Sequence, residues 1–508
     1  MKFLIFLLAF WIASVSATIE LFKKGQGRFK QLIDHDNPSL GTFSQRYRWN
    51  RQHWAGPGSP IILSSTQEEP NDYGRNFMFL SNGLAMLYAK KIGGAILALE
   101  HRYYGKSSPY KQLTVENLQY LTVKQVIADL TYFANNVVLP FDKKQGSHPS
   151  VAPWVLMGGS YTGVLVAWTA VTSPGTFWAY HASSSPVQVS EDFWKIYLPI
   201  QEGMPRNCSK DVTRVMTFVD AVLQHGSQAN KTILKSFFSL EDVKHDDDFA
   251  SALVTPLFLW QKNSFTSGYS QFFQFCDSVE GTLPTAPIMA KRHNPHKHYR
   301  DNEDGVGFKK AITGYANWIS IVQLPTYCST SSGLTVKCLN SYPDASNSPG
   351  TNRQWLWLLC NEPFEMWLNG PPIGIPAIGP RVITTGYWKH QCSTSFPSKG
   401  THKSGIAKGK TAADVNSWTR GWDVGNTTRL MWSTGQYDTW LEGTVSSRFR
   451  PGGPLRSTPE VPIHIIPGGF HCTDLRGRVK NAGMKRVLNK EIAQIAKWVG
   501  EWEPHHKK

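Results

Sequence analysis

One segment, WVLMGGSYTG (residues 154–163), restricts the fold of this 508-residue chain more than any other. Its first four residues form an apolar run typical of a buried strand, two glycines follow, and residues 164–171 read as a helix. A strand that passes through a tight glycine turn into a helix is typical of sheets whose strands alternate with helices. We therefore predict an α/β protein.

The flanking sequence extends this prediction to a doubly wound sheet. Apolar runs at 60–63 and 94–99 predict two strands with a helix between them, and further strand-like runs return after residue 413. Residues 187–412 differ, because they hold most of the cysteines, several helix-like segments and Pro/Gly/Ser-rich loops. We predict an α/β-hydrolase fold formed by residues 18–186 and 413–508, with 187–412 inserted as a mainly helical, disulfide-containing cap.

The first 17 residues have the pattern of a cleaved signal peptide. Lys2 precedes an apolar run, and the small residues Val15 and Ala17 suit a cleavage site after residue 17. The run is shorter than the roughly 20 residues of a transmembrane helix. We expect a secreted protein without a transmembrane span, or one delivered to a vacuole or lysosome. Export would make the glycosylation sequons usable; these begin at Asn207, Asn230 and Asn426.

Seven cysteines in an exported chain predict disulfides with one thiol left over. Cys472 lies directly beside a histidine of interest, and we expect it to be the free one. Connectivity among the other six is open; closeness in sequence suggests Cys328 with Cys338 and Cys360 with Cys392.

The net charge of +16 does not predict nucleic-acid binding, because the Lys and Arg residues are scattered and no recognition motif accompanies them. Adhesion to anionic polymers remains open. We expect neither a cofactor nor a metal.

The glycine turn gives one serine a chemical context. A serine hydroxyl attacks only when a base removes its proton and a third group holds that base. Ser160 sits where a nucleophile elbow would place it, although Thr162 stands where the common GxSxG pattern has glycine. Asp438 and His471 each follow a later strand, in the order expected of a Ser-Asp-His triad. Asp474 is the alternative to Asp438.

Two donors are needed to stabilise the tetrahedral oxyanion of such a reaction. The backbone N–H of Tyr161, directly after the nucleophile, is the first candidate. The second is expected in the loop after the first core strand, within residues 67–69.

Five segments carry a resemblance to a known family. They are EHRYYGKS (100–107), WVLMGGSYTGVLVAW (154–168), QWLWLLCNEPFEMW (354–367), STGQYDTW (433–440) and IPGGFHCTDL (466–475). The chain resembles the serine peptidases that include lysosomal Pro-Xaa carboxypeptidase, dipeptidyl peptidase of the quiescent-cell type, thymus-specific serine protease and fungal prolyl endoprotease, and is most similar to the fungal branch. The family triad falls on Ser160, Asp438 and His471. Thr439 replaces a common proline, and residues 66–68 replace a common Gly-Glu pair.

The resemblance implies cleavage of peptides on the carboxyl side of proline. The proline ring is a rigid apolar disc that suits a pocket walled by aromatic side chains. The candidates for that wall are Trp440, Trp355 and Trp357. Glu362 is a candidate for binding a substrate amine, with a structural ion pair as the equal alternative. Arg102 and Tyr104 are expected to shape the floor beside the sheet.

Two other functions remain open at this point. One is an esterase or lipase that uses the same fold and triad, and the other is an inactive binding or storage protein. The position of the cut along a peptide, the pH optimum and the oligomeric state are not predicted.

Overall fold

The computed structural model of the protein describes residues 23–65, 82–282, 304–330, 333–334, 353–364, 368–425, 427–477 and 481–502. The predicted signal peptide and the predicted second oxyanion donor at 67–69 lie outside these residues. In the described part of the chain, no helix combines the length and the apolar character that a membrane crossing requires.

Ten strands are described. They are β1 (Lys24–Leu32), β2 (Thr42–Asn50), β3 (Ile61–Ser65), β4 (Ala95–Leu99), β5 (Trp154–Gly159), β6 (Ala179–Ser183), β7 (Ser329–Thr330), β8 (Gly333–Leu334), β9 (Leu430–Gly435) and β10 (Ile463–Ile466). Eight of them form one sheet in the order β1-β2-β4-β3-β5-β6-β9-β10, and β7 pairs with β8 separately. Strand β2 is antiparallel to both its neighbours, and the other pairs are parallel.

The described helices connect these strands and form most of the predicted cap. They are α1 (Leu84–Ile92), α2 (Val115–Leu118), α3 (Val123–Asn136), α4 (Tyr161–Thr172), α5 (Tyr197–Gly203), α6 (Arg206–His225), α7 (Gln228–Phe237), α8 (Asp246–Val254), α9 (Gln271–Val279), α10 (Phe308–Asn317), α11 (Leu324–Tyr327), α12 (Arg353–Asn361), α13 (Thr385–Ser395), α14 (Ala412–Thr419) and α15 (Ala482–Gly500). Strand order and helix placement together are those of an α/β-hydrolase, as predicted.

The sheet is covered on both faces. Successive strand residues point to opposite faces, so Ile61 and Leu63 pack toward α3 and α4, whereas Ile62 packs toward α1 and α15. The central strands are therefore continuous apolar runs. Their carboxyl ends all meet at one edge of the sheet, which is where the loops carrying Ser160 and His471 begin.

Each face of the sheet has its own hydrophobic core, and a third core lies within the predicted cap, between residues 193 and 387. The disulfide Cys208–Cys276 joins α6 to α9 inside it. Cys360 and Cys392 form the predicted second bond, between α12 and α13. Cys328 is disulfide-bonded, and its expected partner at position 338 lies outside the described residues. The predicted boundaries at 187 and 412 stay a prediction.

Buried side chains of the EHRYYGKS segment (residues 100–107) bond to neighbouring elements, and we call this segment the clamp. The guanidinium of Arg102 is fully buried, its Nε donates to Asp129 Oδ2 at 2.7 Å, and its Nη1 donates to the carbonyl of Tyr120 at 2.8 Å. Gly105 has a φ of 55°, and a Cβ there would lie 2.2 Å from Glu100 Oε1. These contacts hold the segment behind the site; Tyr104 is also buried within it.

Candidate active site

Ser160 occupies a strained turn between β5 and α4. Its backbone has φ 58° and ψ −134°, a conformation that costs a non-glycine residue of order 1–3 kcal/mol. The Ser160 N–H donates to the carbonyl of Ser183 at 2.9 Å, and this bond helps to fix the turn. Strain of this kind at a strand-to-helix turn is the geometry of a nucleophile elbow.

The elbow explains why Thr162 replaces the expected glycine. The Thr162 hydroxyl donates to the carbonyl of Gly159 at 2.8 Å and accepts from the Gly159 N–H at 3.0 Å, so it closes the turn. Glycine is instead required at the next position, residue 163, because a Cβ there would lie 2.1 Å from Ser185 Oγ. A Cβ at Gly158 would lie 2.6 Å from the backbone of Thr162.

His471 and Asp438 form the pair that their order in the sequence predicts. His471 Nδ1 lies 2.9 Å from Asp438 Oδ1, and the Asp438 carboxyl group is fully buried. A carboxylate only accepts, so Nδ1 carries the proton and Nε2 is left as the basic nitrogen. The Trp440 N–H also donates to Asp438 Oδ1, at 3.0 Å. Asp474, the alternative, instead accepts a hydrogen bond from Ser183 Oγ at 2.6 Å.

Ser160 and the loop that carries His471 are held by two adjacent serines. Ser160 bonds to the backbone of Ser183, while the Cys472 N–H donates to Ser184 Oγ at 2.8 Å. A Cβ added at Gly159 would lie 2.9 Å from Cys472 Sγ, so this loop packs directly on the elbow. The described contacts include no Ser160–His471 hydrogen bond; such bonds are often looser without substrate. Cys472 is a free thiol, as predicted.

The pKa of His471 is raised well above its usual value. Burial by itself disfavours the protonated ring, but the interactions with the Cys472 sulfur and with the Asp438 carboxylate, which also accepts a hydrogen bond from the ring, outweigh burial. When the His471 ring accepts a proton, these two neighbours therefore stabilise the imidazolium. The same interactions leave the ring protonated, and unable to act as a base, at acidic pH.

Tyr161 is the first residue of α4, so its N–H lies at a helix N-terminus beside Ser160. A hydrogen bond from its hydroxyl group fixes the position of its ring. Because His101 Nδ1 donates to the carbonyl of Arg102 at 2.8 Å, Nε2 accepts from the Tyr161 hydroxyl at 3.1 Å. Burial lowers the pKa of His101 to about 4, so this partner stays neutral.

Two of the three predicted pocket tryptophans lie near the site. Trp440 is half-buried between the catalytic loop and the cap; its indole stacks on Phe193 with centroids 5.8 Å apart and planes at 7°. Its Nε1 donates to Gln261 Oε1 at 3.2 Å. Trp355 is half-buried and meets the Tyr161 ring edge-on at 5.2 Å. Phe193, which stacks on Trp440, was not indicated by the sequence.

The structure separates Trp357 and Glu362 from this group. Trp357 is 1% exposed, and its Nε1 donates to the carbonyl of Leu121 at 3.1 Å, so it belongs to the core and not to a pocket wall. The side chain of Glu362 is 3% exposed and forms an ion pair with Lys410. A substrate amine would have to displace that lysine, so the structural alternative is the one the contacts favour.

The glycosylation sequons differ in exposure. Asn230 is exposed in the first turn of α7. Asn207 is 8% exposed, and its sequon includes the disulfide-bonded Cys208, so the folded protein leaves little room for a glycan there. Asn426 lies outside the described residues.

Comparison with known proteins places this geometry in context. The model of the serine carboxypeptidase S28 family matches residues 31–492. The chain is 38% identical to the serine protease vicPa of Bipolaris victoriae over 94% of this chain and 89% of that protein. It is 28% identical to a probable extracellular serine carboxypeptidase of Arthroderma benhamiae, over 91% of this chain and 65% of that protein. An esterase from Pyrobaculum calidifontis is 9% identical, with a TM-score of 0.34, over 93% of this chain and 83% of that one.

Proposed function

The chain belongs to the serine carboxypeptidase S28 family and is a serine-type peptidase, and we propose that it cleaves peptides on the carboxyl side of proline with Ser160 as its nucleophile. The observation that carries the proposed nucleophile is the hydrogen bond between His471 and Asp438, because the loop of His471 packs against the strained turn of Ser160.

The proposed reaction follows the serine hydrolase sequence. His471 Nε2 takes the proton from Ser160 Oγ as this oxygen bonds to the scissile carbonyl carbon, and the Tyr161 N–H donates to the developing oxyanion. The C–N bond then breaks, and the leaving amine takes the proton from His471. Water repeats the sequence on the acyl-enzyme and releases the second product. Asp438 holds the Nδ1–H tautomer and stabilises the imidazolium.

Proline preference is supported by the aromatic surface beside the triad. The half-buried indole of Trp440 follows the catalytic aspartate by two residues and is braced by Phe193 from the cap. A flat, apolar proline ring can bury its faces there without leaving an N–H unsatisfied. Trp355 meets the Tyr161 ring edge-on and is the second candidate for this wall.

We also propose that the protein acts outside the cell, in line with the predicted signal peptide and with the similarity to the probable extracellular serine carboxypeptidase of Arthroderma benhamiae. Its substrates would be peptides or proteins that contain proline. Asn230 is the most accessible glycosylation candidate among the described residues.

A peptide panel tests this function. Matched peptides with proline at an internal position, at the penultimate position or replaced by alanine are incubated with wild-type protein and with Ser160→Ala, and the products are identified by mass spectrometry. A short acyl ester is tested in parallel. We expect cuts after proline that disappear in Ser160→Ala. Equal cleavage after alanine would exclude the proline preference, and turnover of the ester alone would favour an esterase.

A further inference from the structure

A buried group of polar side chains lies behind the loop that carries His471. Asp474, three residues after that histidine, is fully buried in a 3-10 turn (Asp474–Arg476), and Glu491 is fully buried on α15. One oxygen of each carboxyl group and one ring nitrogen of His181 lie within 4.8 Å of one another. We refer to Asp474, Glu491 and His181 as the acid cluster.

The hydrogen bonds of the cluster define where its protons lie. Ser433 Oγ donates its only proton to Glu491 Oε1 at 2.6 Å. Towards His181 the Ser433 hydroxyl is therefore the acceptor, and His181 Nε2 donates to Ser433 Oγ at 3.1 Å. His181 Nδ1 then accepts from the Tyr88 hydroxyl at 3.0 Å. A proton on Nε2 is incompatible with a metal ion on this nitrogen. The contacts therefore describe a proton chain rather than a metal site.

Two carboxyl oxygens in the cluster lack a donor. Asp474 Oδ2 and Glu491 Oε2 are buried and have no hydrogen-bond partner among the described residues. Asp474 Oδ2 lies 3.6 Å from His181 Nε2. Within the described chain, neither carboxyl pairs with Lys or Arg. Two uncompensated carboxylates this close and this deeply buried repel each other strongly, and a proton on one of them removes that repulsion.

Among the described residues, the ionisable groups whose charges act on the cluster include no lysine or arginine. They are Tyr88 on α1, His181 on β6, His464 on β10, Asp438 in the loop after β9, and Glu491 on α15. Burial lowers the pKa of His181 to about 3, and the pKa of His464 to about 4. Burial raises the pKa of Asp474 to about 7 and that of Glu491 well above its usual value. The proton count of the cluster is thus set by its two carboxyl groups.

We propose that Asp474 is a positioning residue, and that the proton shared within the acid cluster keeps the His471 loop seated against β6. The proposal rests on the proposed role of His471. Asp474 is the loop's side-chain anchor, through Ser183 Oγ at 2.6 Å, and Cys472 in the same loop has a strained φ of 51°. A second negative charge in the cluster repels Asp474 from Glu491, and so loosens the anchor on which the placement of His471 depends.

The variants Asp474→Asn and Glu491→Gln test this inference, because each amide keeps the shape of the protonated acid and cannot ionise. In wild-type protein, kcat is expected to fall above neutral pH, by up to about tenfold per pH unit. In Asp474→Asn this alkaline fall moves upward by at least about one pH unit, while KM stays near its wild-type value. Asp423→Asn, an exposed aspartate on another loop, is the matched control and is expected to keep the wild-type profile.

A second readout does not depend on catalysis. Above about pH 6.5, where the buried histidines are neutral in both the folded and the unfolded state, the urea midpoint of wild-type protein is expected to decline as pH rises, because the folded state holds a proton that the unfolded state has released. Both amide variants should flatten that decline. An unchanged pH dependence of the midpoint in both variants would overturn the inference, as would one equivalent of bound divalent metal in the purified protein. A catalytically inactive wild type with the expected pH dependence would instead count against the proposed function alone.

Discussion

Replacing Thr162 by glycine restores the common nucleophile motif, yet it is expected to destabilise this protein. Thr162 is 2% exposed and lies within α4, where glycine brings no conformational advantage. Its hydroxyl makes two hydrogen bonds to Gly159, at 2.8 and 3.0 Å. Losing both costs about 2 kcal/mol, and losing the buried methyl group costs about 1 kcal/mol more. The expected loss for Thr162→Gly is therefore at least about 3 kcal/mol, to which the backbone freedom of glycine in the unfolded state adds.

Urea unfolding measures this loss, with Thr162→Ser as the matched control. Serine keeps the hydroxyl and loses only the methyl group, so the control is expected to cost about 1 kcal/mol. The two variants should differ by about 2 kcal/mol at unchanged m-value. Equal midpoints for Thr162→Gly and Thr162→Ser would refute the claim that the hydroxyl closes the elbow. A glycine variant more stable than wild type would refute it more strongly.

Three further substitutions test other parts of the account. Cys472→Ala is expected to lower the pKa of His471 and to move the acid limb of kcat/KM to lower pH, since the base is then neutral over a wider range; an unmoved limb in a pH–rate profile contradicts this. Trp440→Ala should lower kcat/KM for proline peptides by about tenfold or more while leaving the rate of labelling by a small fluorophosphonate unchanged; equal loss in both assays would assign the residue to the triad's support instead. Arg102→Met is expected to cost about 3–5 kcal/mol in urea unfolding, because the buried Asp129 loses its guanidinium partner and keeps only its bond to His35. The double variant with Asp129→Leu should recover most of the loss; a double variant as unstable as the single one argues against the clamp.

The closeness of the proposed catalytic residues was predictable from the sheet topology. In a parallel sheet the carboxyl ends of the strands meet at one edge, so residues that directly follow separate strands are brought together without any long-range information. Ser160, Asp438 and His471 all follow apolar runs that are easy to recognise. The Cys360–Cys392 bond was predictable for a simpler reason, since the two helices that carry it are near neighbours in sequence.

Other features depend on packing that the pattern does not encode. Trp355 and Trp357 are two positions apart on α12, so they point in different directions. Because residues 355–360 are all apolar, the sequence does not show which face of the helix is buried. Cys208–Cys276 spans 68 residues and follows from the docking of α6 on α9. Strand β6 was missed because His181 and Ser183 interrupt its apolar run. His181 is a member of the acid cluster, and Ser183 donates a hydrogen bond to Asp474 of that cluster.

The central claim is that Ser160 is a nucleophile activated by His471 and Asp438. The most direct measurement is covalent labelling with a fluorophosphonate, followed by peptide mapping of the adduct. The adduct is expected on Ser160 alone, and its rate of formation should fall by about a thousandfold or more in His471→Ala and in Asp438→Asn. An adduct on another residue, or labelling of Ser160→Ala at the wild-type rate, would contradict the claim.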